Sequence, residues 1–169
     1  GREMISVPIM MGHDFLIEKT LTYGKGIMGG NLWLFCDSVQ SGIDIGREAV
    51  RILAKIDDVC TTFDVCSAGS KPETNYPDIG PTTNHPYCPT LKNDLPPEEY
   101  EVPKGVRSIP EIIFNALDLP TMKKAMLSVI QGIIDKKGLV KISAGNYGGK
   151  LGKYEILLRE LGLKENYFS

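Results

Sequence analysis

Residues 108–143 read SIPEIIFNALDLPTMKKAMLSVIQGIIDKKGLVKIS, and this stretch decides the architecture. Ser108 to Ala116 reads as a strand. Asp118 then offers a helix cap, and Pro120 falls in the first turn, where a missing N–H leaves no bond unmade. Leu119, Met122, Met126, Val129, Ile130 and Ile133 recur at spacings of three and four, the apolar stripe of a helix. Lys136-Lys137-Gly138 closes it, with cations at the negative end of the dipole and a glycine stop. Leu139 to Ser143 is again a strand. The unit is strand, helix, strand.

A second such unit lies upstream. Asn31-Leu32-Trp33-Leu34-Phe35-Cys36 is a continuous apolar run that predicts a buried strand. Asp37 and Ser38 are cap candidates, and Val39, Ile43, Gly46, Val50 and Leu53 predict a helix over about 39–56. Residues 59–67 return to β-type side chains. Residues 3–10 form a short lead-in strand, followed by a glycine-spaced segment that ends at Gly29-Gly30. Between the two units runs an irregular segment, about 68–104. It holds Pro72, Pro77, Pro81, Pro86, Pro89, Pro96, Pro97 and Pro103, eight of the 11 prolines, which excludes helix or central strand. Tyr154 to Leu161 is expected to be a last strand. The predicted fold is α+β: a ferredoxin-like β-α-β-β-α-β sandwich, its sheet antiparallel, its two helices on one face, with a long proline-rich loop. One lobe is expected over 1–169, with a lead-in at 1–29, a core at 30–67 and 107–161, and the loop at 68–106.

With 169 residues the chain is about one domain long and can bury a core without staples. It carries 19 Lys and Arg against 21 Asp and Glu, a net charge of −2, which argues against nucleic-acid or anionic-membrane partners. No apolar run approaches the ~20 residues of a membrane span, and no signal peptide is visible. Cys36, Cys60, Cys66 and Cys88 form no C-x-x-C pair and His13 and His85 stand alone, so no metal site is expected. Reduced thiols fit a cytoplasmic protein.

Three segments invite a chemical reading. The glycine-rich run from Ala144 to Lys153 matches neither a phosphate loop nor a dinucleotide fingerprint. It reads as a tight turn, or as a backbone wall that approaches a ligand closely. Glu111, on its strand, shares a face with Ile109 and Ile113. A carboxyl so placed is desolvated, its pKa raised, and could act as a general acid; a solvent-facing pair of isoleucines or a lysine partner is the alternative. Gly69-Ser70-Lys71 closes a strand as a polar turn or a ligand loop. Cys88 is either a small buried apolar group or an active thiol. Met122 and Met126 read as core filling.

Several strings together resemble one family. They are Val7-Pro8-Ile9-Met10, Gly29-Gly30-Asn31, Asp37-Ser38, Gly69-Ser70-Lys71, Cys88-Pro89 and, above all, the run from Lys141-Ile142-Ser143-Ala144-Gly145-Asn146-Tyr147 through Gly148-Gly149-Lys150-Leu151-Gly152-Lys153-Tyr154. The chain resembles the C-terminal, distal lobe of formylmethanofuran–tetrahydromethanopterin formyltransferase. The resemblance implies formyl transfer between formylmethanofuran and N5 of tetrahydromethanopterin in archaeal-type one-carbon metabolism. It implies those two carriers as substrates, with no tightly bound cofactor and no metal. It puts the catalytic glutamate on Glu111. Asn31, Gly69, Ser70, Lys71, Cys88, Ser143, Gly145, Asn146 and Tyr147 become candidate substrate-binding residues. A homo-oligomer, or a separate N-terminal lobe, is the implied partner. A non-catalytic lobe kept for binding or assembly is the alternative.

Overall fold

The computed structural model describes residues 1–10, 12–69, 84–145 and 152–162. β1 (Met4–Pro8) and β2 (Asp14–Glu18) form an antiparallel hairpin. After it come β3 (Ile27–Cys36), α1 (Val39–Leu53), β4 (Val59–Thr61), β5 (Cys66–Ser67), β6 (Pro110–Ala116), α2 (Leu119–Ile133) and β7 (Leu139–Ser143). The last five strands build one antiparallel sheet of order β4-β6-β3-β7, with β5 also on β6. β3 and β6 are its centre. The chain leaves β3 through α1 and returns beyond β6; it leaves β6 through α2 and returns beyond β3. Each unit thus inserts a strand into the other.

Side-chain alternation divides the two central strands between two cores. Leu32, Leu34 and Cys36 of β3, with Ile112, Phe114 and Ala116 of β6, face the helices and pack on Ile45, Ala49, Leu53, Met122, Val129 and Ile133. Trp33, Phe35 and Ile109 face the other way and are covered by Ala68, Val102 and Val106, flanked by Tyr87 and Tyr100. A strand buried on both faces reads as a continuous apolar run, which is why the sequence of β3 shows no alternation. Both helix starts are capped as their residues predict: Ser38 Oγ accepts from Ser41 N at 3.1 Å and Asp118 Oδ1 from Thr121 N at 2.8 Å. Gly138, at φ +92°, makes the left-handed turn into β7.

The structure corrects five expectations. β3 begins at Ile27, four residues before the apolar run, its first part passing an irregularity between Ile27 and Gly30. β2 was not expected, because its residues Asp14–Glu18 lie in a stretch read only for its glycines. The β-type segment 59–67 is two short strands, β4 and β5, both on β6. Helix α1 ends at Leu53, and its buried face is Gly42, Ile45, Gly46, Ala49 and Leu53. Val39 and Ile43, assigned to that face, are 61% and 38% exposed. Small residues were the ones needed against the sheet: a Cβ on Gly46 would already stand 3.1 Å from Val65. Finally, Tyr154–Leu161 is no strand. It is irregular with one tight turn at Leu158–Glu160, and Ile156, Leu158 and Leu161 pack on the helix-side core. In the long loop, the described part from Asn84 onward makes two short turns, His85–Tyr87 and Pro89–Leu91, and lies on the sheet.

Candidate active site

Glu111 is the one buried charged residue among those described, 6% exposed. It is the second residue of β6, so Pro110 sits where a strand can begin without a donor. Across the sheet it is paired with Cys66 on β5 and with Trp33 on β3, and Trp33 is paired in turn with Ser143 on β7. Directly opposed residues share a face, so Cys66, Glu111, Trp33 and Ser143 form one row. Trp33 Nε1 donates to Glu111 Oε1 at 2.9 Å. Burial pushes the Glu111 carboxyl above its ordinary range, and the indole N–H opposes that shift without cancelling it. Among the described residues no cation forms an ion pair with it. The lysine-paired alternative is therefore excluded for those residues, and the desolvated reading of Glu111 holds.

Glu111 lines a cleft of ≈ 770 Å³. Asn31, Ser143 and Gly145 line it too, as do Met122, Met126 and residues 152–158. Asn31 does structural work there. Its Nδ2 donates to Gly145 O at 3.1 Å and its Oδ1 accepts from Gly145 N at 2.7 Å, a reciprocal pair that ties Gly145 to β3. Gly69 and Cys88 are not in the cleft. They meet each other outside it: a Cβ on Gly69 would stand 2.6 Å from the backbone N of Cys88. Cys88 is buried, its Sγ 3.2 Å from Thr90 Oγ1. Ser70, Lys71, Asn146 and Tyr147 lie outside the described residues.

Trp33 and Tyr87 are the members of the site that sequence reasoning missed. Their rings meet edge-on, centroids 5.1 Å apart at 60°. Tyr87 is fixed by a side-chain bond to Glu101, and that bond, then burial, pushes its phenol up to about 12. The signal available was general: a buried indole N–H requires an acceptor. Which acceptor depends on strand register, 78 residues away along the chain. Met122 and Met126 are buried core residues, as expected, and also line the cleft. All four cysteines are free thiols, and burial followed by the Asp37 charge pushes Cys36 up to about 11. Among the described residues no three His, Cys, Asp or Glu side chains are grouped to hold a metal ion, and no helix is long and apolar enough to cross a membrane.

Residues 13–161 match a family model described as FTR, proximal lobe. The chain belongs to the formylmethanofuran–tetrahydromethanopterin formyltransferase family. The matched lobe is the proximal one, which corrects the distal assignment made from the motifs. A formyltransferase-like protein of Methanopyrus kandleri is 54% identical over 159 residues, 94% of this chain and 52% of that protein. A formyltransferase of Methanosarcina mazei is 40% identical over 164 residues, 95% of this chain and 54% of that protein. The formyltransferase structure from Methanosarcina barkeri superposes with a TM-score of 0.76 at 38% identity, over 95% of this chain and 54% of that one. The formyltransferase/hydrolase complex of Methylorubrum extorquens, solved with methylofuran, gives 0.74 at 28% identity, over 95% and 53%. The chain thus spans about half the length of the relatives it matches.

Proposed function

We propose that this chain is a ferredoxin-like lobe that supplies the acid for formyl transfer between formylmethanofuran and N5 of tetrahydromethanopterin. The observation that carries the reading is Glu111: a buried carboxyl without a cationic partner among the described residues, its proton affinity raised, at the wall of a cleft. N5 attacks the formyl carbon, the new C–N bond forms, and the carbonyl electrons move onto oxygen. Collapse of this tetrahedral oxyanion breaks the bond to the methanofuran nitrogen. That nitrogen takes the proton of Glu111, and the carboxylate is restored by the proton N5 gives up. A carboxyl in a desolvated site suits both steps, because burial raises its proton affinity and its neutral form can stabilise developing negative charge and donate a proton. Ser143 and Gly145 would form part of the wall against which the carriers are oriented. Cytoplasmic location, self-association and no resident metal go with this reading.

One observation favours a second reading, a lobe that binds or assembles without catalysing. Relatives near 50% identity carry the name formyltransferase-like. The purified chain, given formylmethanofuran and tetrahydromethanopterin, is to be followed by the absorbance of the formylated pterin. Turnover that Glu111→Gln abolishes, in a variant that still folds, supports the first reading. A folded chain that binds a carrier without turnover supports the second.

A further inference from the structure

Glu111 has two oxygens, and the structure treats them differently. Oε1 is held by the indole of Trp33, a group that can only donate. Among the described residues no side chain bonds Oε2, and the residue borders the cleft. In a neutral carboxylic acid the carbonyl oxygen accepts and the hydroxyl oxygen donates. A donor fixed on Oε1 therefore makes Oε1 the carbonyl and leaves the proton on Oε2.

We propose that Trp33 is a positioning residue: its N–H assigns the Glu111 proton to Oε2, the oxygen left free to serve the cleft. This rests on the reading of Glu111 as the acid of formyl transfer. The indole is itself held on three sides. Cross-strand pairing sets its Cα against Glu111 and Ser143. Tyr87 packs edge-on against its ring and against that of Phe35, 6.3 Å away, and Glu101 anchors the Tyr87 hydroxyl. A ring so packed keeps its N–H aimed whether or not the carboxyl is charged.

The surrounding titratable groups do not compete for Oε1. Cys66 stands beside Glu111 on β5 and is exposed. On β7, Lys141 places its Nζ 5.5 Å over the Phe35 ring. From the segment over the sheet come Tyr87, Glu101, Tyr100 and His85. Lys153, Tyr154 and Glu155 line the cleft. None of the described charges forms an ion pair with Glu111.

The test removes the donor and keeps the shape. Trp33→Phe is one variant; replacement of Trp33 by benzothienylalanine, in which sulfur stands for the N–H, is the other and keeps the packing if Trp33→Phe does not fold. Glutamate carboxyl carbons are labelled, and Glu111 is identified by the resonance lost in Glu111→Gln. Its titration is then followed by carbon NMR on the full chain. A hydrogen bond to the carboxylate favours the charged form, so its loss moves the Glu111 midpoint upward in both variants. The same variants lower kcat about tenfold or more with KM little changed, because the binding wall is intact and the acid is misdirected. An unmoved Glu111 midpoint overturns the proposal, and so does full kcat without the N–H. If the unaltered chain shows no turnover, that failure belongs to the formyl-transfer reading, and the NMR midpoint decides the role of Trp33 alone.

Discussion

Glu111→Gln should stabilise this protein, and increasingly so as pH rises. The folded chain holds the Glu111 carboxyl above its ordinary value of 4.5 because burial penalises the charge. Between that value and the folded midpoint, the folded state binds one proton more than the unfolded state. Stability contributed by the neutral acid is complete below 4.5 and is lost as pH climbs through the folded midpoint. One proton gives a slope of at most ~1.4 kcal/mol per pH unit, so the total loss is ~1.4 kcal/mol for each unit by which the midpoint is raised. Glutamine has no proton to lose, and its amide oxygen can still accept the 2.9 Å bond from Trp33. The difference between variant and wild type should therefore open with pH across that window and then level off. Urea unfolding followed by far-UV circular dichroism, from about pH 4.5 to 8.5, measures it. The phenol of Tyr87 and the thiol of Cys36, held near 12 and 11, stay protonated throughout and do not blur the window. A difference that stays flat, or closes as pH rises, refutes the argument; closing would mean that the fold prefers the carboxylate.

Two further outcomes follow from packing. Ile45→Ala should cost about 2–5 kcal/mol in urea unfolding, because that side chain is 3% exposed in the helix-side core. Ile43→Ala, two residues away on the outer side of α1, should cost far less, and equal losses would return the helix face to the one expected from its large apolar residues. Gly69→Ala should cost about 1–3 kcal/mol as overpacking, since the new Cβ would press on backbone atoms, 2.6 Å from Cys88 N and 2.7 Å from Asn84 O. The tell-tale is a lowered urea midpoint with a shifted Trp33 emission, because the displaced turn carries Tyr87.

What the sequence showed plainly is what is decided locally. The Asp118 and Ser38 caps, the Gly138 turn and the stripe of α2 each need only neighbours within a few residues. The helix face of α1 was legible at Gly46 and Leu53 and misplaced at Val39 and Ile43, because the small buried residues Gly42 and Ala49 carry no apolar signal of their own. Tyr154–Leu161 failed because an apolar run is a statement about burial: Leu161 is buried and Ile156 and Leu158 half-buried on the core, without any strand to pair with. In the site, the desolvation of Glu111 was readable from Ile109 and Ile113, two residues away on either side. The Trp33 bond was not, since it depends on the register of two strands separated by a long irregular segment. The same distance hid the split between Asn31, Ser143 and Gly145 in the cleft and Gly69 and Cys88 outside it.

The β1–β2 hairpin carries a consequence for any melting curve. Its residues Ile5, Val7, Phe15 and Ile17 share one face, all of them exposed, and none belongs to either buried cluster. A lone two-stranded ribbon is marginal in water. Its opening is therefore uncoupled from that of the layers that enclose β3 and β6. Warmed, this chain loses order in two stages, and a midpoint recorded at Trp33 is the temperature of the sandwich alone.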